Sequence, residues 1–465
     1  MVKNEECIVR PLKVAKFGGT SVGSADPMKK CARIVMADSA IKIVVLSATS
    51  GTTNQLLQCA QLASQKKQIL GQNLLKQIME RHLLMGKELE IDDLAQEELQ
   101  KIGQRAQMLF DLMLLSPQLD LALMDHFAGL GEQLSTLLFV GYLRSQSQRV
   151  IAFDVKKVML TDDHFGEASP LLDKLALAVQ ERIHPLLQQN HLLVTQGFIG
   201  CTEDGRPTTL GRGGSDFSAA LLGEALNVDC VQIWTDVSGV YSMDPRIIPN
   251  AKQIPELTYD EAAELANLGA KVLHPLTLIP MIRKNIPVYV GYTLEPEKQG
   301  TWIRETSHSP TLVRALALRK NQSILTLSKI KALETHGHLA KIFAVFAKHR
   351  ISIDLITTSE ISTAVTLNDS SKLNFQLLSE LEELAEVKLE SSLALISIIG
   401  PDLITPAGLA AQIFSRLSHI PLRFICMGSG RNNISFLVQE KWAQEVLQIL
   451  HGHFLEDEKK KDTFN

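Results

Sequence analysis

A glycine-rich turn between an apolar run and an amphipathic one, QGFIGCTEDGRPTTLGRGGSD at 196–216, constrains this chain more than any other feature. The HLLVTQGFIG that leads into it is apolar enough for a buried strand, and the FSAALLGEAL that follows reads as a helix. Glycines at 211, 213 and 214 let the backbone turn tightly and aim N–H groups at an anion. The helix start adds the positive end of its dipole. Arg212 contributes a forked, permanent charge suited to a carboxylate or phosphate. The stretch reads as the floor of a phosphoryl-transfer site. It is not a Walker A loop, because G-x-x-x-x-G-K-[ST] does not occur.

From Lys13 to about Val290 short apolar runs alternate with longer helical stretches. Candidate strands are KVAKFG, IKIVVLSA, RVIAFDV, HLLVTQGFIG, CVQIWTDV and IPVYVG, which predicts an α/β fold with a parallel or mixed sheet covered by helices on both faces. Between Thr53 and His126 strands vanish while Leu, Gln, Lys and Glu dominate, the pattern of several helices forming a lid or a dimer surface. The stretch LEPEKQGTWIRETSHSP at 294–310 is polar and rich in breakers, and marks a domain boundary. Beyond it HLAKIFAVFAKHRISIDLI, from His338, is echoed by GLAAQIFSRLSHIPLRFI, from Gly408. Each copy reads strand, helix, strand, strand, helix, as in SILTLS, HLAKIFAVFAKHR, SIDLITT, AVTL and FQLLSELEELAEV. That order predicts two tandem ferredoxin-like βαββαβ domains. The charged tail EDEKKKDTFN reads as disordered.

Length and charge narrow the function. A chain of 465 residues is long for one domain, so two or three are expected. A net charge of −4 argues against a nucleic-acid binder. The six cysteines are scattered with no C-x-x-C pair, which fits reduced thiols rather than disulfides or a zinc site. The N-terminus lacks the apolar core of a signal peptide, and no apolar run is long and charge-free enough to span a bilayer. The expectation is a cytoplasmic protein with no membrane partner.

Further motifs could carry chemistry. In KFGGTSV at 16–22, Gly18 and Gly19 allow close backbone approach and Lys16 can reach a transferring phosphate; an ordinary turn with a solvated lysine is the bland alternative. SATSGTTN at 47–54 offers hydroxyls to a substrate, though such clusters are also standard loop chemistry. In GLGEQLST, Glu132 opens a helix bound for apolar LLFV, where a buried carboxylate needs a cation such as a substrate ammonium. It could equally be an acid favoured by the helix dipole. Asp216 and Ser215 lie beside Arg212 and could serve the site or merely cap a helix. In WTDVSGVYSMDPR, Thr235 and Asp236 follow a strand, Tyr241 offers a stacking face and Arg246 a phosphate charge; Asp-Pro near Gly is also a good turn. In LTYDEAAELANLGAKVLHP, Thr258 and Glu261 form a capping-box pattern, Gly269 suits a helix end, and Lys271 could cover phosphates.

Together KFGGTS, TTLGRGGSD, WTDVSGVYSMDPR and GAKVLHP resemble, in order and interval, the amino-acid kinase superfamily, and within it the monofunctional, lysine-sensitive type of aspartokinase. The resemblance implies a three-layer αβα sandwich followed by a pair of ferredoxin-like ACT domains. The catalytic domain would be 1–300 and the regulatory region 301–465. Within the latter one ACT domain would be inserted at about 329–394 and the other built from 313–328 plus 395–460. It implies ATP-dependent phosphorylation of the L-aspartate β-carboxylate to 4-phospho-L-aspartate, the first step toward lysine, threonine and methionine, with Mg²⁺ accompanying ATP and no residue assigned as a metal ligand. Lys16 would stabilise the moving phosphoryl group, and Asp216 would orient Lys16 or the Mg²⁺ region. Thr53, Glu132, Arg212 and Ser215 would hold aspartate. Lys16, Gly18, Gly19, Ser21, Thr235, Asp236, Tyr241, Arg246 and Lys271 would bind ATP.

The ACT pair implies feedback by an amino acid, lysine on this resemblance, bound where ACT domains meet across a homodimer that could pair further into a tetramer. The matching positions are Thr335, Gly337, His338, Leu339, Ser352, Ile353, Asp354, Thr358, Ser359 and Glu360, with Asp354 facing the effector's ammonium end. At Ala332, Glu334 and His338 the sequence departs from the Met, His and Phe more common in lysine-sensitive members. After the ACT repeats no length remains for a fused homoserine dehydrogenase. The competing readings are a kinase for glutamate or a related amino acid, a silent amino-acid sensor that keeps the fold, and a Rossmann dehydrogenase. The sensor is opposed by the presence of Lys16, Asp216, Arg246 and Lys271, and the dehydrogenase by the lack of G-x-G-x-x-G after a strand.

Overall fold

The computed structural model describes residues 11–116, 118, 120–269, 273–308, 311–329, 337–368, 373–428 and 430–456. They divide into two compact units, one from Met1–Val240, Pro255–Tyr259 and Val272–His308, the other from Tyr241–Ile254, Asp260–Lys271 and Ser309–Asn465. No described helix is long and apolar enough to cross a membrane.

Among the described residues the first unit has ten strands. They are β1 (Lys13–Phe17), β2 (Ile41–Leu46), β3 (Val150–Phe153), β4 (Leu192–Gln196), β5 (Ile199–Cys201), β6 (Pro207–Thr209), β7 (Cys230–Thr235), β8 (Glu256–Thr258), β9 (Val288–Tyr292) and β10 (Thr301–Arg304). Eight form one sheet in the order β3-β4-β2-β1-β7-β9-β10-β8, parallel except where β10 meets β9, and β5 and β6 form a separate ribbon. The apolar run HLLVTQGFIG therefore splits, its first part becoming β4 and its second β5.

Helices cover both faces: α1 (Ala25–Ala37), α2 (Thr52–Ser64), α3 (Gln68–Glu88), α4 (Asp93–Leu115), α5 (Leu121–Ala128), α6 (Leu130–Ser145), α7 (Leu172–Arg182), α8 (His184–Gln188), α9 (Gly214–Leu226), α10 (Tyr259–Asn267) and α11 (Pro275–Lys284). Of these, α10 belongs mainly to the second unit. Strand alternation assigns the faces. Ala15, Phe17, Val44 and Leu46 join one core with Met28 and Val35 of α1 and with Leu134 and Leu138 of α6. On β7 the opposite face carries Val231, against which Gly223 of α9 packs. Lys16, between Ala15 and Phe17, therefore lies on the α9 face.

The strandless region is four helices, α2 to α5. Their packing follows helical spacing: α4 buries Ala95, Leu99, Ile102, Ala106, Leu109 and Met113, and Asp92 caps it by accepting from the Ala95 N–H at 2.7 Å.

Among the described residues the second unit adds to α10 a six-stranded antiparallel sheet and four helices: β11 (Ala315–Lys329), α12 (His338–Lys348), β12 (Ile356–Thr358), β13 (Ser362–Leu367), α13 (Phe375–Glu382), β14 (Ala385–Ile399), α14 (Leu409–Arg416), β15 (Leu422–Met427), β16 (Asn433–Gln439) and α15 (Ala443–His451). The strand order is β12-β13-β11-β14-β16-β15. Two long strands, β11 and β14, run the width of both repeats, and their pairing shifts register between Arg319 and Ile324. One core gathers Leu325, Leu327, Ile342, Phe346, Val365 and Leu381, and a separate one gathers Leu316, Ile396, Ile413, Phe436 and Val446. The two sequence echoes become α12 and α14, each started by a glycine at positive φ, Gly337 at 79° and Gly408 at 84°. SIDLITT is a strand only over Ile356–Thr358, and FQLLSELEELAEV turns from helix to strand at Ala385. Glu261, of the expected capping-box pattern, pairs its carboxylate with Arg314 at 3.1 Å, both side chains buried. The tail beyond Glu456 lies outside the described residues.

The packing of α9 on β7 yields a stability test. A Cβ on Gly223 would lie 2.6 Å from a methyl of Val231. Gly223→Ala should cost roughly 1–3 kcal/mol in urea unfolding, and Gly223→Ala with Val231→Ala should recover part of that loss. An additive double variant would show that the two positions do not meet.

Candidate functional site

The carboxyl ends of β1, β2, β4 and β7 open into one cleft of about 480 Å³. Its walls are the 16–20 turn after β1, the 47–54 loop after β2, Glu132 of α6, Phe198, the 211–216 turn into α9, and Thr235 at the end of β7. Ligands of open α/β sheets bind outside the carboxyl ends of strands, so the position is the expected one. Backbone bonds fix the mouths of these strands. The Gly18 N–H donates to the Trp234 carbonyl at 3.1 Å, Ser47 N–H to Phe17 at 3.2 Å, and Gly197 N–H to Leu46 at 2.8 Å.

Glycines set how close the walls come. A Cβ on Gly19 would sit 2.9 Å from the Ala48 carbonyl oxygen, and one on Gly197 would sit 2.7 Å from the Ser215 Cα. Gly213 has φ 75° and starts α9 with the His274 ring against it. Gly197 and Gly213 thus make room for the start of α9, and Gly19 lets the turn after β1 close on the loop after β2.

Lys16 and Asp216 meet here. The Lys16 Nζ lies 2.5 Å from Asp216 Oδ1, with both side chains mostly buried. Asp216 falls in the first turn of α9, where the helix dipole favours an acid. Arg212 stands exposed on the cleft wall and makes no ion pair with any described residue.

Glu132 is the most perturbed acid of the site. It is the third residue of α6 and 3% exposed. Its Oε1 accepts from the Ala48 N–H at 3.1 Å, and its Oε2 is buried without a partner. Burial pushes its carboxyl up to about 8, although the Ala48 bond and the Lys16 charge pull the other way. A cation entering the cleft would meet an acceptor that has none. His274 is held below the ordinary imidazole range by burial, with Asp216 opposing and Arg212 adding to that shift.

The structure gathers Lys16, Gly18, Gly19, Thr53, Glu132, Arg212, Ser215, Asp216 and Thr235 around one space. Ser21 is not on the wall; its buried hydroxyl is 2.7 Å from that of Thr293. Asp236 is exposed and accepts from the Thr235 hydroxyl at 3.2 Å. Tyr241 and Arg246 belong to the second unit, where Tyr241 bridges Gln253 and Arg246 holds Asp244 at 2.7 Å. Lys271 and Thr335, with Ala332 and Glu334, lie outside the described residues.

Of the other candidate effector positions, Gly337 caps α12, His338 is buried as its first residue and Leu339 is exposed. Ser352, Thr358, Ser359 and Glu360 are exposed and Ile353 half-buried, with the Ser359 hydroxyl bonding the turn at Ser362. Asp354 already has partners: Arg319 at 3.1 Å and the Asn368 amide, which donates to it at 2.9 Å.

Several contributors carry no sequence signal. Asp125 on α5 is buried and accepts from the Thr209 N–H, the Thr209 hydroxyl and the Gly166 N–H, which anchors the strand leading into the 211–216 turn. Burial raises its pKa against those three bonds. His82 and Arg81 on α3 reach the 47–54 loop from behind. Phe198 lines the cleft at a positive φ of 66°.

The raised Glu132 carboxyl gives a pH test. A folded pKa near 8 against an ordinary 4.5 means the folded chain holds a proton that the unfolded chain has lost between those values. That contribution is complete below pH 4.5 and fades as pH rises through 8. Relative to Glu132→Gln, the ligand-free protein should lose on the order of a few kcal/mol between pH 5 and pH 9 in denaturant titrations. Parallel pH profiles for the two proteins would contradict the burial argument.

Comparison with known proteins adds an independent line. The amino acid kinase family model matches residues 11–292, and an ACT domain model matches 396–454. The chain is 42% identical over 450 residues to lysine-sensitive aspartokinase 3 of Escherichia coli K12, covering 95% of this chain and 99% of that one. It is 34% identical to the chloroplastic aspartokinase 3 of Arabidopsis thaliana, covering 95% of this chain and 81% of that one. The crystal structure of E. coli aspartokinase III in complex with aspartate and ADP, in the R-state, matches with a TM-score of 0.85 at 42% identity over 95% of this chain and 99% of that one. The same enzyme in complex with lysine and aspartate, in the T-state, matches with a TM-score of 0.80, over 96% of this chain and 99% of that one.

Proposed function

The chain belongs to the aspartokinases of the amino acid kinase family, and on that premise we propose that its cleft seats L-aspartate between Glu132 and Arg212 with the β-carboxylate turned toward Lys16. Its reaction is the ATP-dependent phosphorylation of the L-aspartate β-carboxylate. The observation that carries the residue assignment is the buried, unpartnered Oε2 of Glu132 in the same cleft as the Lys16–Asp216 pair. An ammonium group satisfies that oxygen, Arg212 takes the α-carboxylate in a forked pair, and Thr53 and Ser215 contribute hydroxyls.

An ionised carboxylate is already a nucleophile, so the protein has no base to supply. Its work is positioning and charge neutralisation. Lys16 offers its ammonium to the oxygens of the γ-phosphoryl group, and the close glycines at 18 and 19 admit the phosphates to the backbone. Asp216 holds Lys16 in place. Thr235, Asp236, Tyr241, Arg246 and Lys271 are assigned to the nucleotide on their motifs, while the Ser21 hydroxyl is committed to Thr293. Among the described residues no group of three or more His, Cys, Asp or Glu is arranged to hold a metal. Asp216 would be the cleft carboxylate to meet a Mg²⁺ carried by the nucleotide. When bound, such an ion would neutralise phosphate charge.

We extend the reading to regulation: residues 1–300 form the kinase domain and 301–465 the regulatory region, with ACT domains at about 329–394 and at 313–328 plus 395–460. Lysine is the proposed effector, and a site between the ACT domains of two copies requires at least a homodimer, in the cytoplasm. The E. coli relative's sensitivity to lysine supports this.

Two measurements test these assignments. Lys16→Met should lower kcat by roughly 10²–10³-fold while the KM for aspartate moves little, as for loss of one transition-state donor; unchanged turnover would remove Lys16 from the phosphoryl path. ADP release should be far faster with aspartate than with glutamate. In a second assay, activity titrated with lysine, threonine and methionine should fall with lysine, and inhibition by threonine alone would overturn the effector assignment.

A further inference from the structure

At the 47–54 loop four polar side chains form one continuous hydrogen-bonded line, Thr49 and Thr52 where the loop enters α2 and Arg81 and His82 from α3. His82 is fully buried. Its Nδ1 lies 2.7 Å from the Ile78 carbonyl oxygen, which can only accept, so Nδ1 carries the proton. The neutral ring then has a lone pair at Nε2, and the Thr49 hydroxyl, 2.9 Å away, donates to it. With its proton committed, Thr49 can only accept from the Thr52 hydroxyl, which stands next to it. The Arg81 Nη2 donates to Thr52 Oγ1 at 2.6 Å and completes the line. Every proton in the sequence Arg81, Thr52, Thr49, His82, Ile78 carbonyl runs one way. No member can be turned round without leaving a buried donor or acceptor unpaired.

Burial, with the charge of Arg81 adding to it and the Ile78 bond opposing, holds the His82 ring down to about 4, so it stays the neutral acceptor that the line requires.

The loop that this line grips is the wall of the cleft. Thr49 and Thr53 both line it, and Thr52 opens α2. Its other side is tied to α6, where the Ala48 N–H donates to Glu132 and the Ser135 hydroxyl donates to the Ser47 carbonyl at 2.7 Å. Gly51, between these anchors, has φ 77°, and a Cβ built there would meet nothing within 4 Å, so no packing on that side holds the turn. One backbone bond, from the Thr52 N–H to the Thr49 carbonyl at 3.0 Å, closes it, and the side-chain line anchors it to α3.

We propose that His82 and Arg81 are positioning residues for the amino-acid subsite, fixing Thr53 and the Ala48–Glu132 contact through the Thr49–Thr52 hydroxyl line. The inference rests on the reading that the 47–54 loop contacts aspartate. It touches neither the phosphoryl path nor the nucleotide, so its effects should fall on aspartate binding. A group that served stability alone would lower the melting temperature without separating the two substrates.

The test uses the full-length protein, steady-state kinetics for both substrates and thermal unfolding. Thr49→Val keeps the shape and removes the hydroxyl, and Thr49→Ser keeps the hydroxyl. Thr49→Val should raise the KM for aspartate roughly tenfold, the scale of one lost buried hydrogen bond, while the KM for ATP changes less than about twofold. Thr49→Ser should restore the KM for aspartate to near the original value. His82→Met, apolar and of similar bulk, should reproduce the Thr49→Val effect, and the double variant should be no worse than either single one. A Thr49→Val protein with a lower melting temperature and an unchanged KM for aspartate would overturn the proposal, as would fully additive effects. Thr53→Ala keeps the two ideas apart: if it too leaves the KM for aspartate unchanged, the placement of aspartate against this loop is what fails.

Discussion

The contact on which this site depends is the one between Lys16 and Asp216, where the end of β1 meets the first turn of α9. A largely buried ammonium is costly unless a charge answers it, and Asp216 is the answer that the fold supplies. That pairing is possible only if a helix begins within reach of the central strand. Gly213 at positive φ, Gly197 against Ser215, and Gly19 against Ala48 are what allow the approach. The glycines and the ion pair are thus one device. The first permit a close junction, and the second makes the junction electrostatically tenable and leaves a cation facing the cleft.

Glu132 shows the opposite arrangement. Lys16 has its counter-charge built in, whereas Glu132 keeps one carboxylate oxygen buried and unanswered. The difference assigns roles. A charge already compensated within the protein can stabilise a charge that develops during reaction with little reorganisation. An acceptor left unanswered is a demand for a ligand, and a cation that enters the cleft Glu132 shares with Arg212 would meet it. A carboxylate pushed up to about 8 also means that such a ligand must favour the ionised form as it binds.

Much of this was legible in the sequence because it is written in short local patterns. The strands at 13–17, 41–46 and 230–235, the helix after GRGGSD, and the four helices that replace strands after Thr52 follow from periodicity and breakers. What escaped is what depends on distant partners. Nothing in ERHLL says that Arg81 and His82 will reach hydroxyls about thirty residues earlier, and nothing in LMDHF says that Asp125 will hold Thr209. Ser21 lies in a motif suggestive of phosphate binding, yet tertiary packing gives its hydroxyl to Thr293. The Glu261 carboxylate likewise meets Arg314, 53 residues on, a partner that no local pattern announces. The repeat was visible as two helices, but two strands of 15 residues shared between halves do not show as periodicity of either half.

The second unit poses a related question of competition. Asp354, the residue proposed to meet an effector's ammonium, is already held by Arg319 and Asn368 through one oxygen, and its other oxygen is buried without a partner. An ammonium arriving there either adds to the free oxygen or displaces the guanidinium, and the two cases differ in consequence. Addition leaves Arg319 where it is, so the ligand's energy remains local. Displacement moves a side chain whose stem packs against Gly269, the turn that closes α10 at φ 107°. Only a ligand that interacts differently with two arrangements can shift their balance. An ammonium that displaces the Arg319 guanidinium meets that condition within this unit, because it binds only the arrangement in which the pair is open.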